Sequence, residues 1–361
     1  MNNILSVNDE SVILNIFKDI PYQPVHEHTV TKNIPNNFRS IKRIVPEISS
    51  SGLYRFTLPE QGFLQGMCLS FTCSSYDNTA EDKVATRIFS SIYLKQGLRD
   101  IFHNGPSYSL ARLNQEPVQR QNNFTELSNW SQMFDNNEIS CSLPIFSSFT
   151  DNERNYLLLN YFRRLELHCQ LDQNVITNES IIGLNVELIV FIKNYEDEYY
   201  NSFIYKEFLL NKKTKKNYFS YDIFNIQKTL DVGSTETQII LHGPLLVFAL
   251  HSIIFDTTHT NIPIYKLILN HQGTDVLNIK TSENALLDPS YYQYNGNSLS
   301  YFFGHKSRDY HSGAINLNNG PWIITLHHNE ITETSILNID LEYFCILESD
   351  LNGLFDKNIL Y

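Results

Sequence analysis

An all-β chain built from two consecutive β-sandwiches is what this sequence predicts. Three observations lead there. Apolar and polar residues alternate with the period of strands from about residue 53 to near the C-terminus. Aromatic residues make up 13% of the chain, with 21 Tyr and 23 Phe, and such side chains fit half-buried pleated surfaces. The length of 361 residues suits two sandwiches better than one.

The elements follow in order. Val12, Ile13, Ile16, Phe17 and Ile20 fall on one stripe at helical spacing, behind Asp9 and Glu10, and Pro21 stops the pattern. A polar arm then runs to Pro46, so residues 1–46 are a helix and arm. This segment either packs on its own domain or reaches a neighbouring subunit or a membrane. LYRFTL from Leu53 is a strand, and FLQGMCLSFTC resumes the alternation through Met67, Leu69 and Phe71. RIFSSIYLKQG (87–97) is a further strand. Residues 98–140 are polar, with short helices expected around FTELSNWSQMF. Strands return at CSLPIF and in YLLLNYFRRLELHCQL, and IIGLNVELIVFIKN is the most apolar of all.

The acidic, aromatic YEDEYYNS that follows places the boundary near residue 198, giving domains over 47–198 and 199–361. No Gly/Ser-rich linker separates them, so the halves are expected to pack together. In the second half, QIILHGPLLVFALHSIIF gives two strands around Gly243-Pro244. IPIYKLILNHQG, WIITLHH and SILNIDLEYFCIL supply the rest, the last with Leu337, Ile339 and Leu341 on one face. No fixed-period sequence repeat links the halves.

Composition also excludes classes of function. A net charge of −12 argues against duplex binding by the folded body, since neutralising phosphates takes surplus Lys and Arg. Cys68, Cys73, Cys141, Cys169 and Cys345 form no CxxC and are odd in number, which points to reduced thiols. No basic leader precedes the first apolar stretch and no run is long enough to cross a bilayer, so the sequons at Asn123, Asn129 and Asn178 carry little weight.

No catalytic residue, no metal ligand set and no cofactor site is expected. GxSxG, Walker A, dinucleotide, HExxH and EF-hand patterns are all missing. His26 and His28 form an HxH pair without companion ligands, and solvation is the simpler role. His327 and His328 point to opposite faces of a strand, while His242, His251, His259 and His271 suit core or interface positions with hydrogen-bond partners. Glu196, Asp197 and Glu198 fit a solvated turn better than a carboxylate pair for glycoside chemistry. Lys212, Lys213, Lys215 and Lys216 form a basic cluster that is either a solvated loop or hairpin tip or a face for an acidic neighbour or nucleic acid, and Trp130 and Trp322 are too far apart in sequence to suggest a sugar platform.

Several segments carry a family resemblance. SGLYRFTLPEQGFLQGMCLSF (51–71) resembles the opening strand pair of double jelly-roll major capsid proteins of tailless icosahedral DNA viruses. Gln96-Gly97 stands where that family has a GGQ-like turn, and Leu143, Pro144 and Phe146 match its LPFxF element. Ser312, Gly313 and Asn316 match an SGxxN turn. Glu342, Tyr343, Phe344 and Cys345 match a final xYNv strand, with Phe344 in place of Asn.

The resemblance implies two eight-stranded jelly rolls per subunit and a homotrimer of pseudo-hexameric outline. It also implies contacts with neighbouring capsomers and with penton or minor capsid proteins. In such viruses a membrane often underlies the shell, within reach of residues 1–46. The implied location is the virion, after assembly in the host cytoplasm. Long loops such as 98–140 and 256–335 would supply towers and trimer contacts. A double-sandwich glycan-acting hydrolase or a carbohydrate-binding module shares the architecture. The hydrolase should be exported and gather carboxylates and Trp in a cleft; the binding module should show aromatic platforms or calcium loops.

Overall fold

The computed structural model describes residues 37–49, 51–76, 84–115, 128–132, 139–147, 157–159, 164–195, 216–243, 245–256, 261–286, 292–294, 298–303, 313–349 and 355–359. The first half holds β1 (Asn37–Ile44), β2 (Glu47–Ile48), β3 (Leu53–Thr57), β4 (Phe63–Cys73), β5 (Phe89–Gln96), β6 (Arg99–Asn104), α1 (Pro106–Gln115), β7 (Ser131–Gln132), β8 (Ile139–Ile145), β9 (Leu157–Leu158), β10 (Leu165–Leu171), α2 (Gln173–Asn178) and β11 (Asn185–Tyr195). The second holds β12 (Lys216–Leu230), β13 (Glu236–Leu241), β14 (Leu246–Asp256), β15 (Ile264–His271), β16 (Thr274–Lys280), β17 (Tyr292–Tyr294), β18 (Leu299–Phe302), β19 (Ile315–Asn316), β20 (Trp322–His328), β21 (Ser335–Ser349) and β22 (Phe355–Ile359).

The pairing makes each half a jelly roll. In the first, β1-β11-β4-β8 faces β3-β10-β5-β6; in the second, β12-β21-β14-β18 faces β13-β20-β15-β16. Lettering the eight main strands of each half B to I gives BIDG against CHEF both times. Two halves with no sequence period in common therefore share one topology. Strand patterning explains the sandwich. β10 and β13 bury alternate residues, and a one-residue slip would turn each strand's apolar set outward.

Two cores result. One is built on Phe56, Phe63, Leu69, Phe71, Leu94, Leu167 and Leu188, the other on Leu250, Leu269, Ile324, Leu337, Ile339 and Leu341. The first does not stop at the first half. It takes in Tyr221, Ile223, Phe248, Ala249, Phe302 and Phe344 from the second. Strand β14 shows why: it is buried on both faces along nearly its whole length. Its register with β21 slips between Val247 and Ala249, and this bulge turns both Phe248 and Ala249 toward the first half.

Three sequence expectations change. The arm was expected to run irregularly to Pro46, but residues 37–44 form β1 and pair along their whole length with β11. The segment had looked irregular because an edge strand buries one side poorly and can carry Arg39, Lys42 and Arg43 in the open. Residues 98–140 contain β6 and α1 rather than a loop alone, and 256–335 carry six further strands, β15 to β20, between the end of β14 and the start of β21. YLLLNYFRRLELHCQL divides into β9 and β10, with Arg164 at positive φ before the second. The helix expected before Pro21 and the boundary near residue 198 lie outside the described residues.

Candidate functional site: the seam between the two jelly rolls

The groups with the most unusual environment lie where one sheet of the second half meets the first half. Along β21, Leu337, Ile339, Leu341, Tyr343 and Cys345 enter their own core, while Asn338, Asp340, Glu342 and Phe344 face the other way. Such alternation normally means water on the polar side. Here Asp340, Glu342 and Phe344 are each 0% exposed. The rows across the sheet are Gln227, Asn338 and Ile253, then Asn225, Asp340, His251 and Ser300, then Ile223, Glu342, Ala249 and Phe302.

Neighbouring polar groups within this sheet satisfy one another. The Asn225 amide donates to Asp340 Oδ1 at 2.6 Å and the Gln227 amide to Asn338 Oδ1 at 2.9 Å. His251 contacts Ser300 Oγ through Nδ1 at 3.0 Å and Glu342 Oε2 through Nε2 at 3.4 Å. Buried polar groups are tolerated only when paired in this way.

The first half completes the network through α1. Tyr108 N donates to Asp340 Oδ2 at 2.7 Å, and the Ser107 hydroxyl donates to the same oxygen. A helix start leaves its first N–H groups without partners and carries partial positive charge, so a carboxylate there acts as an N-cap. The cap of α1 thus comes from the other jelly roll. Gly105 makes the approach possible, because a Cβ at that position would lie 3.1 Å from both Asp340 carboxylate oxygens. Beyond the cap, Leu110 packs with Ile253 and Phe255, and the Tyr108 ring meets His251 edge-on at 5.7 Å.

Two further contacts lie at the margins. His103 N donates to Asp222 Oδ1 at 2.6 Å, and the Tyr343 hydroxyl donates to Asp222 Oδ2 at 3.1 Å. Burial first, and the Asp222 charge second, push the Tyr343 phenol well above its usual range. Arg87 sits over the Phe255 ring at 5.6 Å and 3.7 Å from Glu179, nearly buried. The carboxylates of Asp222, Asp340 and Glu342 are all buried. The chemistry of this arrangement is that of a lock holding the halves in one orientation.

Among the described residues, those singled out from sequence do not converge. His26, His28, Glu196, Asp197, Glu198, Lys212, Lys213, Lys215 and His259 lie outside the described residues, and Lys216 opens β12. His242 is exposed, and His271 stacks on Trp322 at 4.2 Å. Trp130 instead packs against Tyr76. Among the described residues no three His, Cys, Asp or Glu are placed to share a metal, and no helix is long and apolar enough to cross a membrane. All five cysteines are free thiols. Burial pushes Cys68 up to about 12 and Cys73 up to about 11, away from thiolate reactivity. Sequence reasoning missed Gly105, Asp222, Asp340 and the seam role of Glu342, because nothing local marks a polar strand face as covered.

His327 and His328 do take opposite faces. His328 is 0% exposed. Its Nδ1–H donates to the Asn329 carbonyl at 2.8 Å, which leaves Nε2 to accept from Thr237 Oγ1 at 3.0 Å. Burial is the main cause that holds its pKa below 6.5, so the folded ring stays neutral where the unfolded one protonates. The unfolded state then binds more protons, and stability falls as pH drops below about 6.5. Urea midpoints measured from pH 7.5 downward should show this loss, and His328→Gln should flatten it. An equal slope in that variant would assign the effect to other groups.

No family model and no curated protein matches the chain. Among solved structures it is similar to the PBCV-1 virus capsid, with a TM-score of 0.68 and 12% identity, over 91% of this chain and 98% of that one. It is similar to the Faustovirus major capsid protein, with a TM-score of 0.60 and 8% identity over 100% and 99%. The capsid protein of Sulfolobus Turreted Icosahedral Virus gives 0.52 and 10% over 85% and 96%.

Proposed function

We propose, for a chain that has the double jelly-roll fold, that it is the major capsid protein of an icosahedral virus. The observation that carries this reading is the pair of BIDG/CHEF sandwiches locked side by side, matching capsid subunits over nearly the full length of both chains. Two-lobed subunits around a threefold axis present six lobes, so a homotrimer has a pseudo-hexameric outline that can tile a shell. The seam supports this role physically. A tile must keep its two lobes at a fixed angle, and buried capping by Asp340 couples them.

In this reading the protein is structural and not an enzyme. It is located in the virion after assembly in the host cytoplasm. Its partners are its own copies, neighbouring capsomers and penton or minor capsid proteins. The acidic folded body leaves the genome to other components. The segment before β1 is the part available to reach a neighbour or an underlying membrane.

Size-exclusion chromatography with light scattering tests the reading. The expected result is a stable species at three times 42.0 kDa. A strict monomer at micromolar concentration, with or without glycan-releasing activity, would overturn it.

A further inference from the structure

The two halves repeat more than their strand order. In the first, the register of β11 with β4 slips just past Phe191; in the second, that of β21 with β14 slips just past Glu342. These matching bulges fix the correspondence of the two sheets. Ile41, Phe191 and Gly66 stand where Ile223, Glu342 and Ala249 stand in the second half. Arg43, Ile189, Cys68 and Pro144 stand where Asn225, Asp340, His251 and Ser300 stand. A second bulge also recurs, at Ile101 of β6 against β5 and at Val276 of β16 against β15.

The equivalent surfaces differ in what covers them. On the second half, β6 packs against β12, and α1 against β14 and β21. Ile101 is 0% exposed there, in one cluster with Tyr221 and Ile223 of β12. The matching face of the first half carries Ile41 at 64% exposed and Phe191 at 39%, with Ile189 and Pro144 half-buried beside them. The Phe191 ring lies over Gly66, where a Cβ would meet it at 3.4 Å. Val276, the counterpart of Ile101, is 57% exposed. The outward side of an antiparallel sheet is polar when water covers it. Here its middle is apolar and an ion pair of Arg43 with Glu187, at 2.9 Å, stands at the rim, as in a protein interface.

We propose that the Ile41, Phe191 and Ile189 face of one copy receives β16 and the following 3-10 helix (Thr281–Leu286) of a second copy. The contact repeats between chains what β6 and α1 make within one. It rests on the homotrimeric capsid reading and states which surfaces meet. The two faces differ, so each copy offers one of each, and a heterologous contact of this kind can close a ring. The margins carry opposite charges: Arg39 is exposed beside the first face and Asp275 beside Val276. Ile189 replaces Asp340 at the centre, so the contact between copies is apolar where the seam within the chain is polar.

Thiol cross-linking of the full-length protein tests this. Cys68, half-buried on the first face, is replaced in a Cys68→Ser background, and Ile41→Cys and Val276→Cys are added at exposed positions. A short bismaleimide should give covalent dimers and trimers on denaturing gels from the double variant, and these products should be lost in either single variant. By light scattering, Phe191→Glu should fall to 42.0 kDa under conditions where the wild type holds three copies. Ile41→Glu serves if that variant unfolds. Cross-linking as strong in a single variant, none in a trimeric double variant, or a folded Phe191→Glu that stays trimeric would each overturn the proposal and leave the capsid reading standing. A monomeric wild type would overturn both.

Discussion

Asp340→Ala is expected to cost the fold about 3–5 kcal/mol, the loss that follows when a buried charge leaves its partners unpaired. The alanine would strand the Tyr108 N–H, the Ser107 hydroxyl and the Asn225 amide, and an unsatisfied buried group costs about 1–3 kcal/mol. It would also take the anion from the start of α1. Because the cap crosses the seam, the damage should appear in both halves. Urea unfolding should shift to a lower midpoint, and hydrogen exchange should quicken at the first amides of α1, which belong to the other jelly roll. Asp340→Asn keeps one acceptor oxygen and should cost less. A wild-type midpoint in Asp340→Ala would show that the seam network does not hold the halves together.

Phe344→Asn is the second large effect, and its sign is informative. The resemblance places Asn at this position, so the substitution would move the chain toward the pattern of the family it resembles. It is nonetheless expected to destabilise by about 3–5 kcal/mol, as for removal of a buried Phe, with an unpaired amide added. Phe344 is 0% exposed and lies 5.3 Å from Phe248, which in turn meets Phe302 at 5.8 Å. This aromatic group from the second half extends the core of the first. Thermal unfolding decides the matter. A midpoint equal to wild type would mean that the site tolerates the family residue and that the aromatic group contributes little.

The departure at Phe344 was legible as a departure, but its reason was not. A final strand reading SILNIDLEYFCIL shows the alternation that buries Leu337, Ile339 and Leu341, and that face is as expected. The same alternation assigns Asn338, Asp340 and Glu342 to water. Covering them takes a helix more than two hundred positions earlier in the chain and the bulge in β14, and neither follows from local pattern. Conversely, the histidines that drew notice were visible as residue types, yet only the fold could separate His251 inside the seam from His242 in the open.

The sequence by itself determined the class of fold: strands from period-two alternation, two sandwiches from length, and the double jelly-roll arrangement from the order of its motifs. Period and turn chemistry are local, so they survive without coordinates. The tertiary structure decided what the second sheet of each lobe faces. Alternation states which residues share a side of a strand, but only packing states whether water or another domain lies on that side. On that distinction rests the change of Asp340 from a surface acid to the cap of a helix in the other half.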